Sequence, residues 1–401
     1  MTAIYTPQKL EIGIDVGSLN HSIAISDKAG NIIKEFEIAH NQKGFDEFFK
    51  IIKQEAKQRD AEVFIAMEGY NGWARPLDTQ ILAQGYRLYN VNNVKLARFK
   101  EIFPASAKTD SIDARKIVEL FSLRKHLPVA KDVLQEIKQF DDNNERLKKL
   151  TRRRKQLVAQ KVVISNRFSS DLQAVAPDLK AISKSVDNLW FLRFLTLKDD
   201  IRKLKRVTTK QIQKIKYLSS KNLQIIKAWQ KDATFSEATD YVAPMLYDDA
   251  LEILRLKDKI DTLTKEISLL NKNSQIARVI QTIPGFATIT AGELAGEIGT
   301  IDRFKSEASL ALYLGMTNLD NSSGKQKGSK RSISTNRHAK MALITATMKH
   351  TQHNDQSKKY LNKKISEGKK YQQAIRSLGR NLVRVIWKMI QEDRNYEIRE
   401  K

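Results

Sequence analysis

Ile253, Leu256, Ile260, Leu263, Ile267 and Leu270 recur at intervals of three and four residues. On an α-helix that interval keeps all six in one apolar stripe. A second stripe runs through Leu147, Leu150, Leu157, Ile164 and Phe168, with Arg154 and Lys161 at two intervening seam positions. The pattern predicts two long helices that pair with each other or with another copy of the chain. The heavily charged flanking positions favour a coiled coil over ordinary bundle helices, which are the plainer alternative. The centre, residues 128–279, is therefore helical, and prolines are scarce in it. Other architecture must come from residues 1–127 and 280–401, and three regions suit a chain of 401 residues. Residues 180–245 look helical and carry no motif.

Charge narrows the partners. Lys and Arg number 71 against 46 Asp and Glu, a surplus of 25. A chain this basic meets a polyanion, first of all nucleic acid and less often an acidic membrane surface. From Gly324 to Lys401 there are 20 Lys and Arg against 6 Asp and Glu, a surplus of 14. More than half of the excess thus sits in the last fifth of the chain. Hydrophobic residues make up 41%, enough for packed cores. Cysteine is absent, which excludes disulfide scaffolds, zinc ribbons and thiol catalysis. No signal peptide and no run of about 18 apolar residues is read, so no membrane partner is expected. The expected location is cytoplasmic, in a bacterial or archaeal cell, associated with the nucleoid.

The first region reads as an α/β unit. EIGIDVGS, HSIAISDK and NIIKEFEIAH are short β-rich runs separated by turn residues, which suggests two tight hairpins. Phe45, Phe48, Phe49 and Ile52 then mark a helix, and EVFIAMEG is an apolar run of the kind buried within a sheet. A helix over 73–84, the strand YRLYNVN and a further helix give the order β-β-β-α-β-α-β-α, a mixed sheet flanked by helices.

Four acids of this region occupy positions where sheet enzymes place their chemistry. Asp15 ends the first apolar strand, and Glu68 ends the buried one. Asp110 and Asp113 open a helix in KTDSIDARKIVELF, three residues apart and so on one face. Two Mg²⁺ ions about 4 Å apart need several anionic oxygens to hold them, and such a pair serves phosphodiester transfer. The bland readings are a turn residue for Asp15, an N-cap for Asp110 and a first-turn dipole partner for Asp113. Glu68, inside an apolar run, is harder to explain that way.

The last region is mostly helical. VIQTIPGFATITAGELAGEIG has the form of a helix-hairpin-helix, with Pro284-Gly285 in the turn and the next helix presenting N–H groups to a phosphate. Ala287 stands where strong versions have a second glycine, and a plain helix-loop-helix is the alternative. NLDNSSGKQKGSKRSIS is a polar loop whose Lys325, Lys327, Lys330 and Arg331 suit phosphate contact, if it is more than a basic surface loop. Weaker candidates are the RRRK cluster at 152–155, the stripe Arg376, Arg380 and Arg384, and His350 with His353 as a metal pair. Tyr70, Trp73 and Tyr89 read as core or sheet-edge aromatics.

GIDVG, AMEG and KTDSIDARKI together resemble the DEDD signature of RuvC-like insertion-sequence transposases, relatives of the Piv-type DNA invertases. The resemblance covers residues 10–125 and 280–350 well and the middle weakly. It implies an RNase-H-like (RuvC-like) first domain in which Asp15, Glu68, Asp110 and Asp113 bind Mg²⁺ or Mn²⁺. In this family a serine after the helix-hairpin-helix is the nucleophile. LGMTNLDNSSG puts Ser323 in that place, with Ser322 its neighbour and competitor and Asn318 where the family often has proline. The resemblance also implies a bridge-RNA-guided recombinase, steered by a structured non-coding RNA.

The sequence thus leads to α/β plus α: an RNase-H-like domain over 1–127, a coiled-coil oligomerisation region over 128–279, and a C-terminal transposase domain over 280–401. Its expected partners are DNA, a guide RNA and further copies of itself, as a dimer or tetramer. The carboxylates and the serine fall in different regions, so the expected site is composite. The alternatives are a metal-dependent junction resolvase or nuclease with Ser323 a bystander, and a nucleic-acid-binding scaffold without catalysis.

Overall fold

The structure is a computed structural model. It describes residues 8–70, 72, 74–101, 110–126, 133–138, 141–324, 328–330, 332 and 335–398. The chain forms two compact units, Met1–Gln139 and Phe140–Lys401.

The first unit is a six-stranded sheet of order β3-β2-β1-β4-β5-β6. Its strands are β1 (Gln8–Val16), β2 (Asn20–Ser26), β3 (Ile32–Ala39), β4 (Ala61–Met67), β5 (Arg87–Val91) and β6 (Leu134–Glu136). β1, β2 and β3 form the two expected hairpins, β4 and β5 run parallel to β1, and β6 returns antiparallel. β6 is an addition to the expected order, and it carries the sheet beyond residue 127. Three residues are too few to show an apolar period. The helices are α1 (Gln42–Arg59), α2 (Arg75–Ala83), α3 (Asn93–Lys100) and α4 (Asp110–His126).

Strand alternation sorts the two faces. Leu10, Ile12 and Ile14 of β1 join Val63, Ile65 and Met67 of β4 in a core with Phe45, Phe48 and Ile52 of α1 and Leu77 and Ile81 of α2. The other face of β1 bears Glu11, Gly13 and Asp15, and α4 lies on it. Gly13 is what lets the helix approach: a Cβ there would stand 2.3 Å from the Ala114 carbonyl oxygen. Toward the other end of β1, Lys125 Nζ meets Glu11 Oε1 at 2.8 Å. α4 therefore runs antiparallel to β1, with its first turn toward the end that carries Asp15. Gly13→Ala is expected to cost about 3 kcal/mol, because the clash is with backbone, and a urea midpoint shift would measure it.

The second unit is built on two long antiparallel helices, α5 (Asp142–Val175) and α10 (Thr239–Asn273). Their direction shows in Arg146 beside Glu266 at 3.7 Å and Arg167 Nε donating to Asp249 Oδ2 at 2.9 Å. Both apolar seams face this pairing within one chain. At one end, Leu147, Ile267 and Leu270 enter a core formed by α11 (Gln275–Gln281), α12 (Thr288–Ile298), α13 (Glu307–Tyr313), α14 (Arg337–His353) and α16 (Tyr371–Glu392). α15 (Asp355–Ser366) packs beside α14 and α16.

At the other end, Phe168, Leu172, Ala243 and Ile253 enter a separate core with the segment 176–235. That segment holds α6 (Pro177–Ala181), α7 (Leu189–Leu195), a short 3-10 helix Ile201–Arg206, α8 (Thr209–Gln213) and α9 (Ser220–Asp232). Phe191, Phe194 and Trp229 are among its buried side chains. The motif-free stretch is thus a packed helical cap on a two-helix stalk. Among the described residues no helix is long and apolar enough to cross a membrane.

Candidate active site

Asp15 and Glu68 are brought side by side by the parallel pairing of β1 and β4. Ile14 is in register with Met67, and the Glu68 N–H donates to the Ile14 carbonyl at 3.4 Å. The next register position holds the two acids, on strands about 4.8 Å apart. Asp15 alternates with Gly13 and so lies on the α4 face. Asp113 directly precedes Ala114, the residue seated over Gly13, and is buried. Asp15 and Glu68 therefore sit side by side at the C-terminal end of β1 and β4, and the buried Asp113 belongs to the first turn of α4, which lies toward that end and whose dipole favours negative charge. Each of the three has an interaction partner in the structure. Asp110 opens α4, but its side chain lies outside the described part. Among the described residues no three acidic or imidazole side chains are close enough to hold a metal by themselves. The donor set nonetheless fits a hard divalent cation, since it consists of carboxylate oxygens from separate elements.

The DAR of the motif acquires a reason beyond its acid. Ala114 is small because it lies on Gly13, and Arg115 makes a two-pronged ion pair with Glu35 of β3. That pair holds the Glu35 carboxyl below the usual carboxylate range and ties α4 across the sheet. Sequence reasoning missed two further neighbours. Ser22 stands opposite Asp15 in the β1–β2 register, and its Oγ donates to Glu37 Oε1 of β3 at 3.3 Å. On the opposite face, burial and the nearby His40 push the His21 imidazole down to about 4, so it is neutral at physiological pH.

The predicted nucleophile lies in the second unit. β7 (Leu319–Asp320) and β8 (Ser329–Lys330) form a short antiparallel hairpin, closed by Asn321 N–H donating to the Gly328 carbonyl at 2.9 Å. Ser322 and Ser323 are both exposed beyond β7, and Gly324 follows with φ +55°. Lys330 is exposed on β8, whereas Lys325, Lys327 and Arg331 lie outside the described residues.

The stem of this hairpin is anchored in a buried polar network. The Arg152 guanidinium grips Glu297 at 2.6 and 2.8 Å. Asn336, the N-cap of α14, donates from Nδ2 to Glu297 Oε2 at 2.7 Å and to the Tyr313 hydroxyl at 2.6 Å. Burial alone would raise the Glu297 carboxyl, but the hydrogen bonds and charge of Arg152, with Asn336 and Lys148, hold it below the usual range. A lowered folded value means stability that is present above the unfolded carboxylate value, about 4.3, and fades as pH falls through the folded one. Glu297→Ala leaves Arg152 and Asn336 without their acceptor and is expected to cost about 3 kcal/mol or more. Its denaturant midpoint at pH 7 checks this, and the gap from wild type should narrow on acidification.

Other candidates change meaning. Gly285, φ +85°, sits so tightly on α14 that a Cβ would stand 2.5 Å from the His350 backbone nitrogen. His350 Nδ1 donates to the Pro284 carbonyl at 2.7 Å, and the ring is buried. Pro284-Gly285 thus packs the turn against the core, and His350 is a core histidine rather than half of a metal pair. α12 starts at Ala287 without a side-chain cap, so its first turn is the part of this motif open to an anion. Half of the RRRK cluster is neutralised: Arg152 meets Glu297 and Lys155 meets Glu293, whereas Arg154 donates to the neutral Thr264 hydroxyl and Arg153 is exposed. Arg380 is paired with Glu307, which breaks the arginine stripe of α16. Tyr89 is buried and Tyr70 packs against the sheet core, while Trp73 lies outside the described residues.

Residues 12–177 match a family described as Transposase, of the DEDD IS110 type. Residues 277–362 match the Transposase IS116/IS110/IS902 family. The insertion element IS116 uncharacterized 44.8 kDa protein of Streptomyces clavuligerus is 22% identical over 96% of each chain. The insertion element IS900 uncharacterized 42 kDa protein of Mycobacterium paratuberculosis is 24% identical over 97% of each. The insertion element IS110 uncharacterized 43.6 kDa protein of Streptomyces coelicolor is 23% identical, over 97% of this chain and 95% of that one.

Proposed function

This chain belongs to the IS116/IS110/IS902 family of transposases, and from that premise we propose how a DNA transposase of this sequence cuts and rejoins strands. Asp15, Glu68, Asp110 and Asp113 hold Mg²⁺ or Mn²⁺ in a first domain of RNase-H-like type. Ser323 is the nucleophile. The observation that carries the reading is the register that sets Asp15 beside Glu68 at the end of β1 and β4, the end toward which α4 begins. The sheet order, with three antiparallel strands leading into two parallel ones, supports the fold assignment.

A bound divalent metal supplies charge that offsets the scissile phosphate and the oxygen leaving it. The residues do the rest. Ser323 Oγ forms a bond to phosphorus, one strand end departs as its oxygen, and the serine proton ends on that oxygen. The strand is left on the protein as a phosphoserine ester. A hydroxyl of the new strand then attacks the same phosphorus, and Ser323 leaves with a proton, so bond energy is conserved for rejoining. Lys325, Lys327, Lys330 and Arg331 would place positive charge about the same phosphate, and the turn at Pro284 and Gly285 would set the uncapped end of α12 toward DNA. Assembly of several copies and guidance by a structured non-coding RNA belong to the reading through the family resemblance.

A strand-exchange assay on Ser323→Ala and Asp15→Asn separates this from its rivals. The proposal requires both to fail. A metal-only nuclease keeps cutting without the serine, and a scaffold is indifferent to both changes.

A further inference from the structure

The helical cap takes no part in the chemistry above, yet its surface is organised. From Lys205 to Lys231 the chain has eight Lys and Arg and not one Asp or Glu. Just before this run the charges are balanced: Lys203 Nζ meets Asp199 at 2.8 Å, and Arg202 meets Asp200 at 2.7 Å. Within it, Arg206, Lys210, Lys214, Lys216, Lys221 and Lys231 are all exposed, and none forms an ion pair among the described residues. A solvated face needs no such exclusion of acids. Five of the six are lysines, which act as point charges suited to phosphates rather than as forks that read base edges.

The run stands on rigid ground. Ile212, Ile226 and Trp229 are buried beneath it, and the Gln230 side-chain amide donates to the Leu204 and Val207 carbonyls at 2.8 and 3.0 Å. In the turn between α8 and α9, Leu218 N–H donates to the Ile215 carbonyl at 3.3 Å, and Tyr217 has φ +73°. Such a position favours glycine, and a bulky residue there is strained. Tyr217 is nonetheless 63% exposed, so no core burial compensates the strain. What it does touch is charge. The Arg193 guanidinium and the Lys216 ammonium lie 5.1 and 5.3 Å from its ring centroid, and Arg193 Nη1 donates to the Lys216 carbonyl at 3.2 Å. The ring gathers two cations at the edge of the basic run, and strained residues of this kind concentrate at functional positions.

The cap and the core that carries the serine hairpin lie at opposite ends of the stalk. α5 has 34 residues, which is about 50 Å at 1.5 Å per residue, or the length of about 15 base pairs of duplex. We propose that the cap surface is a second, sequence-independent site for double-stranded DNA. Given that DNA is the substrate, it holds the duplex that flanks the reacting phosphate. Its lysines lie on the backbone, and Tyr217 keeps Arg193 and Lys216 in place.

The test measures binding by the full-length protein and does not depend on catalysis, so it stands apart from the serine chemistry. The probe is a 40-base-pair duplex of arbitrary sequence (about 40 chosen to span both ends of the stalk), titrated across a salt series. An RNA hairpin of similar length runs in parallel. Replacing Lys210, Lys214, Lys216 and Lys221 by glutamine is expected to weaken duplex binding by about tenfold or more and to flatten the log–log salt slope by about 3 to 4. RNA affinity should hold. Tyr217→Gly relieves the turn, so its Tm should stay level or rise while duplex affinity falls several-fold. A purely structural tyrosine would not give that combination. Unchanged duplex affinity and slope in the lysine variant overturn the proposal, and a larger loss on RNA than on duplex overturns the choice of DNA.

Discussion

Ser323→Ala is expected to lower strand exchange by about 10⁴-fold or more, since loss of a catalytic nucleophile leaves only binding and electrostatic assistance. The same variant should yield no protein–DNA adduct that survives denaturation. Divalent-metal binding and duplex affinity should be unchanged, because Ser323 is an exposed residue of a hairpin and supplies no carboxylate or positive charge. Ser322→Ala is the control. Both serines follow β7 and both face solvent, so geometry alone treats them alike. The assignment to Ser323 rests on its place directly before Gly324. If Ser322→Ala abolishes the adduct and Ser323→Ala does not, the nucleophile moves by one residue and the mechanism stands. If neither does, the serine chemistry falls. The hairpin also explains why Glu297 matters at a distance. Its network fixes Asn336 and Tyr313, which flank the segment bearing the serine, so Glu297→Ala should slow exchange in step with its loss of stability.

Local periodicity carried most of what could be read in the sequence. Leu10, Ile12 and Ile14 alternate with Glu11, Gly13 and Asp15, so one strand announces both its core face and the acid on the other. The seam of α10 likewise announces its helix. What periodicity does not encode is the partner. Nothing near Arg115 points to Glu35, 80 residues earlier, or near Arg152 to Glu297, 145 later. RRRK therefore read as a free basic cluster when a carboxylate of α12 had already claimed part of it. For the same reason the seams left open whether the stalk pairs within a chain or between chains. The cap was opaque on another ground. Its helices are short, and its buried aromatics come from α7 and α9 alone, so no single stripe persists long enough to be recognised. Asp15, Glu68 and Asp113 were legible as candidates, but the placement of Asp15 beside Glu68 depends on a parallel strand pairing, and the approach of α4 depends on a glycine.

Asp15→Asn is expected to reduce strand exchange by about 10³-fold while leaving the metal-free protein at least as stable as wild type. The second half follows from the geometry. Asp15 and Glu68 occupy adjacent register positions on strands about 4.8 Å apart, and two carboxylates so close disfavour each other's charge when no cation lies between them. Asparagine keeps the shape and removes one of the two charges. Metal reverses the comparison. A cation that binds only the folded wild type stabilises it by about 2.7 kcal/mol at a concentration of 100 times its Kd. Thermal melts should therefore show a rise in Tm with Mg²⁺ or Mn²⁺ for wild type and little or none for Asp15→Asn and Glu68→Gln. The proposed metal site requires Asp113→Asn to behave likewise. This readout needs neither DNA nor turnover, so it separates loss of metal from loss of fold or of substrate. Equal metal-induced shifts in wild type and variants would remove the carboxylates as the metal site. Full activity in Asp15→Asn would remove them from the reaction, and the pairing of Asp15 with Glu68 would then be a feature of the sheet alone.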